Sequence, residues 1–209
     1  DRKGIKDMSK IKLFSGMDFS GKTTIINGIN EKMPSKFSIK KKFLTPIDLI
    51  ENVRKRDTWL SPEEWKPLLQ ENIQKDIKEY KENGLILLDS LWIIKYLAGK
   101  IEKNDKQDEE EIIILKELLK KYPEMDSFYI TVSMNERIKR FQARAKSGNE
   151  ITGSDKLIMD TDKFERREQI YKKIVLEYFP NTKTIDTTDI DLEQTINVII
   201  NDNNFLKDM

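Results

Sequence analysis

The chain of 209 residues has no cysteine and no histidine. Disulfides, thiol nucleophiles, imidazole bases and metal sites built on thiolate or imidazole are excluded, so any metal bound here takes oxygen ligands. Long apolar runs are missing too. Nothing reaches the roughly eighteen residues that a membrane span needs, and the N-terminus lacks the apolar stretch of a secretory signal. A soluble, cytoplasmic protein with no membrane partner is the expectation. An excess of one charge is also absent: 38 Lys and Arg stand against 37 Asp and Glu, for a formal net charge of +1. Such a balance gives no overall pull toward nucleic acid. The one basic cluster with aromatics, KFSIKKKF at 36–43, reads as a solvated edge strand, and no nucleic-acid partner is expected.

What is present is an alternation of short apolar runs with longer segments of helical spacing. KIKLFS at 10–15, SIKKKFL at 38–44, LILLD at 85–89, SFYITV at 127–132 and a weaker TKTID at 182–186 read as strands. Between them, Trp65, Leu68, Leu69, Ile73, Ile77 and Tyr80 recur at three- and four-residue steps in a helix opened by Ser61-Pro62 and closed by Asn83-Gly84. Similar spacing marks helices over 112–122 and 164–179, whereas EKNDKQDEEE at 102–111 is charged enough to predict a solvated loop or helix start. Strand and helix in alternation predict an α/β fold of three layers, with helices on both faces of a central parallel sheet of about five strands. One domain over residues 8–209 is expected, and residues 1–7 read as a tag remnant or upstream extension.

The chemistry is concentrated in GMDFSGKTT, Gly16 to Thr24, between the first strand and a helix. Gly16, Gly21, Lys22 and Thr23 fit the phosphate-loop pattern G-x-x-x-x-G-K-[ST] at every fixed position. Glycines let the backbone curve so that successive amides, including those of Ser20 and Thr24, point at phosphate oxygens. Lys22 neutralises the outer phosphates, the Thr23 hydroxyl can ligand Mg²⁺, and the helix opening at Lys22 adds its positive end. A second acid for the metal is expected at the tip of a buried strand, and Asp89 ends LILLD. The plainer alternatives are a glycine turn before an amphipathic helix and, for Asp89, a helix N-cap.

These residues resemble the thymidylate kinase family, whose phosphate loop places an Asp two residues after the first Gly and ends in GKTT. LILLDS is similar to that family's strand ending in Asp-Arg, RIKRFQAR at 137–144 resembles the basic segment opening its lid, and MDTDKFERREQIYKKIVLEY resembles the helix after the lid. TIDTT at 184–188 falls where a loop near the nucleotide base would lie. The resemblance implies ATP- and Mg²⁺-dependent phosphoryl transfer to a nucleoside monophosphate. It further implies that Asp18 and Phe19 belong to the phosphate-binding loop, Asp18 reaching an acceptor sugar hydroxyl. Lys22 and Asp89 would serve the reaction together with Arg140 and Arg144 from a lid over about 140–163, and a homodimer is implied as well. A solvated helix face is the alternative for the two arginines.

The chain also departs from this family. Ser90 stands where Arg follows the strand Asp, Phe19 where one branch has Arg, and no Arg lies between Arg144 and Arg166, leaving Lys146, Lys156 and Lys163 in the lid. Leu69 and Ile73 align with the family's base-stacking Phe and base-binding Arg. Deoxynucleoside kinases, which phosphorylate nucleosides, form a neighbouring family. Thr45-Pro46-Ile47, Trp65 and Gln70 resemble their Glu-Pro-Val, Trp and Gln, with Thr45 where their general-base Glu stands. The acceptor set is therefore Asp18, Trp65, Leu69, Gln70 and Ile73, for a small nucleotide or nucleoside. A nucleotide-binding protein with reduced catalysis is the third reading.

Overall fold

The computed structural model describes residues 11–43, 62–82, 85–122, 124–148, 151, 155–202 and 205. The Ser61 cap, the Asn83-Gly84 stop and the Thr45-Pro46-Ile47 segment lie outside these residues. All five expected strands form: β1 (Ile11–Ser15), β2 (Phe37–Phe43), β3 (Leu85–Leu91), β4 (Asp126–Thr131) and β5 (Lys183–Asp186). They make one parallel sheet in the order β2-β3-β1-β4-β5. The lysine-rich β2 is thus an edge strand, where charge discourages pairing with another chain.

Seven α-helices are described: α1 (Lys22–Lys32), α2 (Pro62–Glu82), α3 (Trp92–Lys103), α4 (Glu109–Leu119), α5 (Met134–Lys146), α6 (Thr161–Tyr178) and α7 (Leu192–Ile200). Their layers follow from the two-residue period of the strands. Ile11 and Leu13 of β1, Ile86 and Leu88 of β3 and Tyr129 of β4 join one core with residues of α3, α4 and α6. Phe14, Leu87, Phe128 and Ile130 point the other way and join residues of α1 and α7. The three-layer α/β/α expectation is met.

Two local expectations are corrected. β3 runs past Asp89 to Leu91, since Ser90 and Leu91 are buried and Leu91 still pairs with Phe43 of β2. The charged stretch 102–111 is not simply solvated. Lys100 bridges Asp108 at 2.7 Å and Glu111 at 2.5 Å, the Tyr96 hydroxyl donates to Glu111 at 2.7 Å, and Arg167 reaches Glu102 at 2.7 Å. Burial works against the Lys100 charge, but the bonds to Asp108 and Glu111 outweigh it and raise its pKa. These acids tie α3 to α4 and α6.

Beneath the phosphate loop, Tyr171 is fully buried, and burial pushes its phenol up to about 12. Its hydroxyl lies beside Ser15 and Ser90 but makes no well-formed hydrogen bond among the described residues. An unsatisfied buried hydroxyl costs roughly 1–3 kcal/mol. Tyr171→Phe is therefore expected to unfold in urea at the same or a higher midpoint than the parent protein. A loss above about 1 kcal/mol would mean that the hydroxyl is bonded.

Candidate active site

β1 delivers the chain into the loop, and the first conformational demand falls on Gly16. Its φ is +145°, and a β-carbon there would sit 2.3 Å from the Ile130 carbonyl oxygen. Only glycine fits. At the loop's other end Gly21, with φ +94°, caps α1 without a side-chain acceptor, and the first turn of α1 holds no acid. By contrast, α4 opens with three glutamates, and α7 with a capping box from Asp191 and Gln194. The start of α1 thus has neither a side-chain cap nor an acid in its first turn, an arrangement that suits an external anion.

Lys22 is folded into the loop, its Nζ donating to the Met17 carbonyl at 3.1 Å and to Ser20 Oγ at 3.4 Å. The Thr23 hydroxyl donates to Asp89 Oδ2 at 2.6 Å. That contact joins residues 66 positions apart because β3 lies beside β1 with Asp89 in register with Phe14. Asp89 is on the α1 side of the sheet, as the alternation with Leu87 requires. Ser90, at φ +68°, bonds the Phe14 carbonyl at 3.3 Å and sends no cation into the site.

The middle of the loop is held from α5. Arg137, fully buried, donates to the Asp18 carbonyl at 2.8 Å and the Val132 carbonyl at 3.2 Å, and pairs with Glu168 of α6. Burial lowers its pKa, with Glu168 opposing the shift. Arg140 donates to the Phe19 carbonyl at 3.2 Å and to Glu136 at 3.2 Å. Phe19 itself takes φ +63°, which is strained for an aromatic residue. Its ring meets Phe141 edge-on at 5.5 Å and Arg144 at 5.9 Å, while Arg144 also faces the buried Asp155 at 3.7 Å. Arg140 is thus half-buried against the loop backbone, while Arg144 is an exposed helical residue that lies over the Phe19 ring.

Beyond Arg140 lies a cavity of about 200 Å³, lined by Gly21, Thr24, Ile25, Arg140, Thr187, Ile190, Leu192 and Thr195. Whole ligands usually occupy roughly 300 Å³ or more, so this hollow has room for only part of one. Thr187 belongs to the TIDTT segment. On the opposite flank, Lys95 of α3 reaches the Asp18 carboxylate at 2.7 Å.

The acceptor residues expected on α2 fare differently. Trp65 and Leu69 occupy helical positions, Gln70 is half-buried, and Ile73 is buried in the core. Ile73 has no surface to offer a ligand, and its expected role as an acceptor contact is corrected to packing. Of the lid lysines, Lys146 and Lys156 are exposed and Lys163 is half-buried. Three site residues escaped the reading of the sequence: Lys95, Arg137 and Glu168. Lys95 left a signal, as the one charge in WIIKYLAG; Arg137 left none that separates it from an exposed helical arginine.

The oxygens that could hold a metal are those of Thr23 and Asp89. No group of three or more carboxylates gathers among the described residues. Two protein oxygens beside a phosphate-binding loop fit Mg²⁺, which keeps water and substrate phosphates in its shell, better than Ca²⁺.

The fold is shared with solved nucleotide and nucleoside kinases. A thymidylate kinase from Candida albicans superposes with a TM-score of 0.65 at 19% identity, over 95% of this chain and 94% of that one. A deoxyadenosine kinase from M. mycoides with bound dATP gives 0.62 at 20% identity, over 91% and 97%. The YorR protein of Bacillus subtilis, in complex with phosphorylated GDP, gives 0.53 at 15% identity, over 91% and 93%. Compared by sequence, the chain matches no family model and no curated protein. At these identities the shared property is the fold.

Proposed function

We propose that this protein transfers the γ-phosphoryl group of ATP to a nucleoside monophosphate. The observation that carries the reading is the 2.6 Å contact between Thr23 and Asp89 at the edge of a glycine loop that already encloses Lys22. Two unrelated segments meet there to present paired oxygens beside a cation and the start of a helix. Mg²⁺ held by Thr23 and Asp89 would supply charge neutralisation at the phosphates.

The chain's own residues supply the rest. The loop amides and Lys22 cradle the donor phosphates, and the hollow at Thr24, Thr187 and Ile190 takes the donor base. Phosphoryl transfer runs through a loose, anionic transition state, so positive charge and alignment matter more than a strong base. Arg140 and Arg144, at the start of the lid we read over 140–163, would add that charge. The later part of this segment includes a 3-10 turn, Asp155–Met159, in which Ile158 is buried.

A monophosphate acceptor brings an anionic oxygen as nucleophile. A nucleoside hydroxyl would need a base, and Thr45 stands where the deoxynucleoside kinases have their Glu. Asp89 is engaged with Thr23 and Asp18 with Lys95. The nucleoside reading remains second, favoured by the likeness to the deoxyadenosine kinase. We further propose a single cytoplasmic domain, working as a homodimer.

The test is ATP consumption with Mg²⁺ against the common nucleosides and nucleoside monophosphates, with Lys22→Ala alongside. Turnover of a monophosphate is expected, and Lys22→Ala should lower kcat/KM by about 100-fold or more. Turnover that survives this substitution would overturn the phosphate-loop mechanism. Tight ATP binding without any transfer would make the protein a nucleotide binder.

A further inference from the structure

Resting on the kinase reading above, we propose that Lys95 is the residue that selects a phosphorylated acceptor over an unphosphorylated one, by moving its ammonium group from Asp18 to the acceptor's phosphate. Five cationic side chains described here reach the phosphate loop, Arg144 only by lying over the Phe19 ring at 5.9 Å. Lys22 bonds the Met17 carbonyl, Arg137 the Asp18 carbonyl and Arg140 the Phe19 carbonyl. These three hold the loop's backbone. Lys95 is different in target and direction: it bonds the Asp18 side chain, and it comes from α3, behind β3.

Direction matters because the sheet order fixes the two sides of the site. The small hollow lies on the β4-β5 side, among Arg140, Thr187 and Ile190. In-line transfer places the acceptor across the loop from the donor. That side belongs to β3 and α3, where Asp89, Asp18 and Lys95 stand.

Accessibility agrees with this assignment. The Lys95 side chain is 31% exposed and that of Asp18 is 19% exposed, whereas the Arg137 side chain is at 0%. Arg137 is sealed into the fold, but Lys95 can swing on its flexible stem without leaving a buried carboxylate isolated from water. Once Lys95 turns toward a phosphate, the Asp18 carboxylate gives up that one bond and can accept from a hydroxyl of the same ligand. An acceptor carrying both groups satisfies the pair together, and a nucleoside satisfies only Asp18 while leaving Lys95 in place.

The step balances. An oxygen of the acceptor phosphate forms a bond to the γ-phosphorus as the bond from that phosphorus to the β,γ-bridging oxygen breaks. ADP leaves with that electron pair, and a nucleoside diphosphate results. No proton needs to move, and Lys95 remains an ammonium throughout. It positions and discriminates but forms no bond.

The competing account makes Lys95 a strut that keeps the loop in shape. The experiment compares wild type, Lys95→Met and Lys95→Arg for KM of ATP and of each nucleoside monophosphate. Calorimetric binding of the same monophosphates and of the free nucleosides is measured with a non-hydrolysable ATP analogue and Mg²⁺ present. Lys95→Met should raise KM and Kd for the monophosphate by roughly 30-fold, the loss of one charge-assisted hydrogen bond. KM for ATP should stay within about twofold, nucleoside binding should not change, and Lys95→Arg should recover most of the loss.

A parallel rise in KM for ATP, or an equal loss for nucleosides and monophosphates, would establish the strut and overturn the proposal. Unchanged monophosphate kinetics in Lys95→Met would overturn it while leaving the kinase reading intact. Transfer by the wild type to nucleosides alone, or to nothing, would remove the monophosphate reading and this inference with it. That failure is distinguishable because it shows before any variant is compared.

Discussion

Arg137→Met is expected to cost about 3–5 kcal/mol of stability, the penalty for removing one partner of a buried ion pair. The reason is the company the guanidinium keeps: fully buried itself, it holds the partly buried Glu168, two backbone carbonyls and the face of Phe164 at 5.2 Å. Deleting it leaves Glu168, which also accepts from Tyr129 at 3.2 Å, without its cation. Urea unfolding measures the cost. The double variant Arg137→Met with Glu168→Met should regain a large share of the loss, because apolar replacement of both partners is often neutral. Because Arg137 holds the Asp18 carbonyl, KM for ATP should also rise in the single variant. A single variant within 1 kcal/mol of wild type, taken as about the scale of an exposed pair, would show that this arginine is incidental.

Gly16→Ala carries the second large effect. A methyl group would meet the Ile130 carbonyl oxygen at 2.3 Å, a backbone atom of the neighbouring strand that cannot swing aside, and φ +145° is itself unfavourable for alanine. The loop must shift, and ATP affinity by calorimetry should fall by about 100-fold or more, through misplaced amides. Gly148→Ala is the matched control. It also has a positive φ, +72°, but no atom within 4 Å, so it should cost about 1–2 kcal/mol at most and leave ATP affinity unchanged. Equal ATP affinity in the two variants would remove close packing from the explanation of Gly16.

How far the sequence could be read depended on how local each signal was. The strands were visible because buried parallel strands are short apolar runs, and the loop because its glycines, lysine and threonine are contiguous. Asp89 was legible as a carboxylate ending such a run. The buried acids at 102–111 were not, because their partners lie elsewhere: Lys100 is eight residues before Asp108, and Arg167 is 65 residues beyond Glu102. Hydrophilic residues close in sequence look solvated until the fold supplies opposite charge. Ile73 illustrates the converse. Aligned on a resemblance, it looked like a ligand contact, while its own apolar spacing in α2 already assigned it to the core. Arg137 escaped because helical spacing in RIKRFQAR says which residues share a face, not which face turns inward.

The polar end of β3 has a second consequence. Ile86, Leu87 and Leu88 are buried on both faces of the sheet, so sliding this strand by one residue would exchange one apolar side chain for another at little cost in burial. Alternation of apolar and polar residues, which aligns a half-exposed strand, is absent here. Asp89 against Thr23 and Ser90 against the Phe14 carbonyl break that degeneracy, because a slip by one would turn the carboxylate toward the far layer. The residues at the mouth of the glycine loop thus also act as the index mark by which the central strands find their alignment. A descendant that had abandoned phosphate chemistry would still fold more faithfully with that aspartate in place.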